Sequence, residues 1–87
     1  PVIEFFDYSV NLRTVTFVID IIEENFKEVY YVDNDDEKET KKRLCSILKD
    51  GRCFAKKRFN TGDYSLTLHI VDQSGNEETQ DADFSVY

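Results

Sequence analysis

The sequence predicts an all-β fold: an antiparallel β-sandwich of about seven strands. Three observations carry that reading. The first is strict alternation. In residues 65–70, Leu66, Leu68 and Ile70 fall on one face and Ser65, Thr67 and His69 on the other, the period-two pattern of a strand with one buried side. The second is spacing, because turn signals recur about every 8–12 residues, as in sandwiches. The third is that no segment carries a long helical period, which argues against alternating strand–helix units. A chain of 87 residues has room for one small domain with one core.

The elements follow in order. Residues 1–8 read as a first strand with Ile3 and Phe5 on one face, and residues 7–12 as a turn. Residues 13–22 are the longest alternating run, with Val15, Phe17, Ile19 and Ile21 inward and Thr14, Thr16 and Asp20 outward. Their β-branched and aromatic content suits a pleated strand and is poor for a helix. Residues 23–27 make a polar loop that tucks in Phe26, and residues 28–33 a third strand centred on Val29-Tyr30-Tyr31-Val32. Residues 33–42 are almost wholly charged and read as an exposed loop, with a helical turn over residues 36–42 as an option. Residues 44–48 and 52–59 read as two short strands around Lys49-Asp50-Gly51. Asn60-Thr61-Gly62-Asp63 turns into the alternating strand. Asp72-Gln73-Ser74-Gly75-Asn76 turns into the last one, residues 79–87, with Ala82, Phe84 and Val86 inward. In that final turn Asp72 is expected to cap and Gly75 to supply positive φ. The expected core is Val15, Phe17, Ile19, Tyr64, Leu66, Leu68, Ile70, Phe84 and Val86. Trp and Met are absent, so Phe and Tyr must provide the large buried surfaces.

The net charge of −7 argues against nucleic acid, whose phosphates need a basic face, and against an anionic membrane surface. The basic residues nevertheless cluster, in residues 38–43 and 56–58. They read as solvated charge on loops and strand edges, where Lys discourages edge-to-edge aggregation. No run of about 18 apolar residues is present to span a bilayer. The chain starts at Pro1 and contains no Met, so residues 1–87 are expected to be a single domain excised from a larger, multi-domain protein.

Cys45 and Cys53, with seven residues between them, suit a bridge across a hairpin. A three-residue loop brings both to one face; a two-residue Asp50-Gly51 loop puts them on opposite faces and forbids the bond. A disulfide is the expectation and implies an oxidising compartment; the alternative is a pair of reduced thiols in an intracellular protein. Two Cys and one His cannot complete a zinc site. Asp33, Asp35 and Glu37 alternate as calcium ligands would. However, Lys38 stands where a calcium-binding loop needs Gly, and Leu44 where it needs its last Glu, so no metal or other cofactor is expected. His69 faces outward without a nucleophile beside it, and no phosphate loop or nucleophile motif is present; no enzyme activity is expected. Tyr8, one of Tyr30 and Tyr31, and Tyr87 are left as surface aromatics that could stack on a sugar or dock a protein.

Several segments occur together in a familiar order. They are Val29-Tyr30-Tyr31-Val32-Asp33-Asn34, then Leu44-Cys45 to Gly51-Arg52-Cys53, then Phe59-Asn60-Thr61-Gly62-Asp63-Tyr64-Ser65-Leu66, and last Asp72-Gln73-Ser74-Gly75-Asn76. The set resembles the immunoglobulin-like and fibronectin-III-like domains of bacterial and archaeal cell-surface proteins, over about residues 15–86. The resemblance implies an immunoglobulin-like sandwich serving as a spacer, stalk or adhesive module. Tyr64 matches the tyrosine corner, whose hydroxyl bonds back to nearby backbone; Gly62, Asp72, Gly75 and Asn76 take structural roles in the turns. The inter-sheet disulfide of antibody domains is missing: Leu66 stands where its second Cys would be, faced by Phe17 or Ile19. The core Trp is replaced by Tyr30 or Tyr31. The implied function is a non-catalytic module of an extracellular or cell-surface protein. Its partners would be neighbouring domains of the same chain, another protein or a polysaccharide. The alternatives are a carbohydrate-binding accessory module of a secreted enzyme and an intracellular protein-interaction domain.

Overall fold

Alternation in the sequence becomes strands in space. A computed structural model describes residues 1–87. It contains β1 (Val2–Asn11), β2 (Thr14–Ile22), β3 (Phe26–Asp33), β4 (Lys42–Cys45), β5 (Arg52–Arg58), β6 (Gly62–Asp72) and β7 (Glu77–Val86), and no helix. One sheet has the order β1-β2-β5 and the other β4-β3-β6-β7, with every pairing antiparallel. The two sheets face each other as the β-sandwich that the sequence predicts.

The core lies between β2 and β6. Val15, Phe17 and Ile19 from β2 and Leu66, Leu68 and Ile70 from β6 are fully buried. Each such side chain contributes about 1.5–3 kcal/mol by leaving water. Val29 and Tyr31 of β3 and Ala82, Phe84 and Val86 of β7 complete the layer. Phe59 joins three aromatic neighbours, with ring centroids 5.8 Å from Tyr31, 4.9 Å from Tyr64 and 5.3 Å from Phe84. This cluster supplies the bulk that a Trp would otherwise provide. Of the two adjacent tyrosines, Tyr31 belongs to the core. Tyr30 is buried on the opposite face, stacked on His69 with centroids 4.7 Å apart.

Four expectations are corrected. In β1, Ile3 pairs with Ile21 but Phe5 with Asp20, so Glu4 is an extra residue. Such a bulge exchanges the faces beyond it. Phe5, expected beside Ile3, therefore faces solvent at 49 % exposure, while Phe6 and Tyr8 pack on the core. Residues 7–12 do not turn early; β1 continues to Asn11 and reverses at Leu12 and Arg13, between the paired Asn11 and Thr14. The turn-like residues Asp7, Ser9 and Asn11 are the outward set of a continuing strand, opposite Val18, Thr16 and Thr14. Residues 36–42 form no helical turn. Asp36 N–H donates to the Asp33 carbonyl at 3.0 Å and Glu39 N–H to the Asp36 carbonyl at 3.1 Å, two reverse turns in succession.

The fourth correction concerns residues 44–59. They are not a hairpin within one sheet. β4 pairs with β3 and β5 with β2, so the chain crosses from one sheet to the other between them.

Candidate functional site

Lys49 and Arg52 form an isolated bridge, their N–H groups donating to each other's carbonyls at 3.0 and 2.8 Å. Asp50 and Gly51 between them have φ of 50° and 78°, the two positive values of a type I′ turn. The two-residue loop is thus real, yet Cys45 and Cys53 are bonded, with Cα atoms 5.9 Å apart. The parity rule does not apply because the ladder stops at Lys49 and Arg52. Before that point the chain leaves for the other sheet, where Cys45 lies opposite Val29, while Cys53 lies opposite Ile19. The disulfide therefore ties the edge strand of one sheet to the edge strand of the other. Gly51 is held in place because its carbonyl accepts the Ile21 N–H at 2.8 Å; a Cβ there would sit 3.4 Å from the Ile21 carbonyl oxygen.

At the start of β6, Gly62 has φ 152° and lets the chain swing into the strand. Two residues on, the Tyr64 hydroxyl donates to the Asn60 carbonyl at 2.7 Å. Its ring stacks on Phe84, with centroids 5.5 Å apart. At the far end of β6, Asp72 is buried and organises the turn. Its Oδ1 accepts the N–H groups of Ser74 and Asn76, each at 2.9 Å, and its Oδ2 accepts the Asn76 side-chain amide at 3.1 Å. Gly75 takes φ 90°. Burial pushes the Asp72 carboxyl up, but the hydrogen bonds from Asn76 and Ser74 outweigh it and hold the group below the ordinary carboxylate range.

The calcium candidates do not converge. Asp33 Oδ1 is occupied by the Asp35 N–H at 3.0 Å, and nowhere in the chain do three or more His, Cys, Asp or Glu side chains gather as a metal site. His69, a lone surface histidine by its sequence neighbours, is instead paired: its Nδ1 lies 2.8 Å from Glu77 Oε1, a pairing created by the β6–β7 register.

The surface aromatics do not form a platform. Tyr8 packs inward on Phe84 at 5.8 Å, and its hydroxyl donates to the Asp83 carbonyl at 2.7 Å, closing β1 onto β7. Tyr30 is covered by His69 and by Lys41, whose Nζ lies 4.9 Å from the ring centroid. Only Tyr87 is freely exposed. The open apolar face is a different one, the outside of the β1-β2-β5 sheet. Phe5, Ile22, Val2 and Phe54 are all exposed there, on registers that alternate with the buried set. Phe54 is opposite Val18, and the Arg52–Asp20 pair sits two residues along on the same face. In that pair Arg52 Nε reaches Asp20 Oδ1 at 2.6 Å and Nη2 reaches Oδ2 at 3.1 Å. The Arg52 hydrogen bond lowers the Asp20 carboxyl. The sequence signal for this face was faint, since Phe5 shows its side only once the bulge at Glu4 is known.

Fold and site together define an antiparallel seven-stranded sandwich whose sheets are joined by a disulfide at one side. No family model, curated protein or solved structure matches the chain.

Proposed function

We propose that this chain is a non-catalytic structural or adhesive module of an extracellular or cell-surface microbial protein, of the immunoglobulin-like or fibronectin-III-like type. The observation that carries the reading is the Cys45–Cys53 bond between sheets, because disulfides persist in oxidising compartments and staple small domains with limited cores. The strand partition supports it as well. β4 joins β3, β6 and β7, whereas in antibody constant domains the fourth strand joins the first sheet; the fibronectin-III-like side of the resemblance fits better. The exposed Phe5 and Phe54 suit a face that docks protein in an adhesive or tandem arrangement.

The test is a thiol count on protein alkylated at the moment of cell lysis, without reductant, together with protease accessibility on intact cells. Both cysteines blocked from alkylation until reduced, and cleavage by external protease, are the expected results. Two alkylated thiols in protein shielded from external protease would replace this reading with the intracellular interaction domain.

A further inference from the structure

The topology sorts charge by side. β4 and β5 are the edge strands on the disulfide side, and β1 and β7 the edge strands on the other side, joined by Tyr8. The strands of the first side, β4 and β5, hold Lys42, Arg43, Arg52, Lys56, Lys57 and Arg58 and no acid; acids reach this side at one end, where Asp33 and Asp36 line a cleft with Lys42 and Arg58. The second side has the opposite content. β1 and β7 hold Glu4, Asp7, Glu77, Glu78, Asp81 and Asp83, all exposed, and no Lys or Arg. The molecule thus carries a basic edge and an acidic edge on opposite sides, inside a net charge of −7.

Few of these charges are used internally. On the basic side only Arg43, with Glu28, and Arg52, with Asp20, form ion pairs; on the acidic side only Glu77, with His69, does so. Lys42, Lys56 and Arg58 are exposed and without a carboxylate partner. Protecting sheet edges from aggregation requires charge, but not one sign on each side; intermixed charges serve equally well. The separation therefore calls for another explanation, and the two edges are complementary to each other.

We propose that this protein associates laterally with copies of itself, the basic β4/β5 edge of one copy meeting the acidic β1/β7 edge of the next. The contact joins two different surfaces, so it is heterologous and leaves a free edge of each sign at the ends. It builds an open row rather than a closed dimer, unless rotation brings the ends together. It runs through side chains rather than strand addition, since Lys57 lies opposite core-facing Val15 on the edge strand β5 and such an inward charge blocks a further strand. Net repulsion between copies acts over distances that salt screens to about 8 Å at physiological strength, whereas edges in contact keep their attraction. The inference stands apart from the adhesive reading, as it needs neither an extracellular location nor a ligand.

Sedimentation velocity over rising concentration, to about 1 mM, reads the association directly. Two variants divide its causes. In the first, Lys42→Glu, Lys56→Glu and Arg58→Glu make both edges acidic; in the second, Glu4→Lys, Glu78→Lys and Asp83→Lys make both basic. The wild type should associate at moderate salt and dissociate at about 0.5 M, where the Debye length shrinks to a few ångström. Each variant alone should be weaker by about tenfold or more, since like charges now meet, and a mixture of the two should associate again. A wild type that stays monomeric throughout overturns the proposal without reference to any variant. So do association unaffected by either reversal, a mixture that stays monomeric while both variants keep the wild-type circular dichroism, and a basic edge that binds a sulfated polysaccharide on a monomeric protein.

Discussion

At the residue scale, four residues govern local stability in ways that can be measured. The Tyr64 hydroxyl satisfies the Asn60 carbonyl, so Tyr64→Phe leaves that acceptor without its partner while keeping the packed ring. We expect a loss of about 1–2 kcal/mol, seen as a lower urea midpoint with an unchanged m-value; an unmoved midpoint would mean that the ring alone matters. Leu12 takes φ 57° at the β1–β2 turn, almost wholly exposed. A left-handed conformation costs a branched L-residue about 1–2 kcal/mol, and Asn tolerates it while constraining the unfolded chain more than Gly does. Leu12→Asn should therefore raise the midpoint of thermal unfolding by a few degrees. The carboxyls of Asp72 and Asp20 are both lowered in the folded protein, Asp72 by hydrogen bonds from Asn76 and Ser74 and Asp20 by its hydrogen bond with Arg52. A depressed carboxyl contributes stability that is complete above its unfolded pKa and is lost as pH falls through the folded value. Stability should therefore drop as pH falls through the ordinary carboxylate range and on through the lowered values of these two groups. In Asp72→Asn the deficit relative to wild type should be larger at neutral pH than in acid, as urea titrations at the two pH values would reveal.

At the element scale, β4 is the weakest part of the structure and the disulfide its principal anchor. It has four residues and a bulge in its pairing with β3, and its far edge is free. Closing so small a ring contributes about 2–3 kcal/mol in the chain-entropy account. Reduction should lower global stability by that amount without abolishing the fold. Amide exchange should speed up first in residues 42–45, ahead of β2 and β6, because edge segments open at the low end of the stability range. Equal acceleration everywhere would show that β4 unfolds only with the whole. The Cys pair illustrates how far local pattern reaches. Its spacing suggested a bond, and the I′ turn at Asp50-Gly51 was readable in the chain, yet the two together contradict each other within one hairpin. They agree only when β4 and β5 lie in different sheets.

At the scale of the whole molecule, one layer of side chains holds both sheets together. Phe17 is fully buried and meets Phe84 edge-on at 6.3 Å. Truncating a buried Phe costs about 3–5 kcal/mol, against a total stability of about 0.05–0.15 kcal/mol per residue for domains in general. Phe17→Ala should therefore populate the unfolded state measurably at 37 °C, with loss of dispersed amide resonances; a cooperative, fully folded spectrum would place the weight of the core elsewhere. The charge pattern belongs to this scale too. The basic clusters read in the sequence as scattered solvated loops and edges; folding gathers them on one side and leaves the acids of β1 and β7 on the other.

The amino-acid sequence by itself determined the class of fold, the inward set on β2, β6 and β7, and the polar character of the connections. Alternation is a local property, and a two-residue period can be satisfied only by a strand with one buried face. The hydroxyl of Tyr64 and the cap at Asp72 were also within reach, since each bonds four residues away in the chain. What the tertiary structure alone decided is whatever depends on pairing across the chain. That includes the face of Phe5 beyond the bulge at Glu4, the inward turn of Tyr8 toward Asp83, the stack of Tyr30 on His69, and the crossing of the Cys45–Cys53 bond between sheets. Register and sheet partition are set by the sum of many long-range contacts, and no single segment carries enough of that sum to reveal them alone.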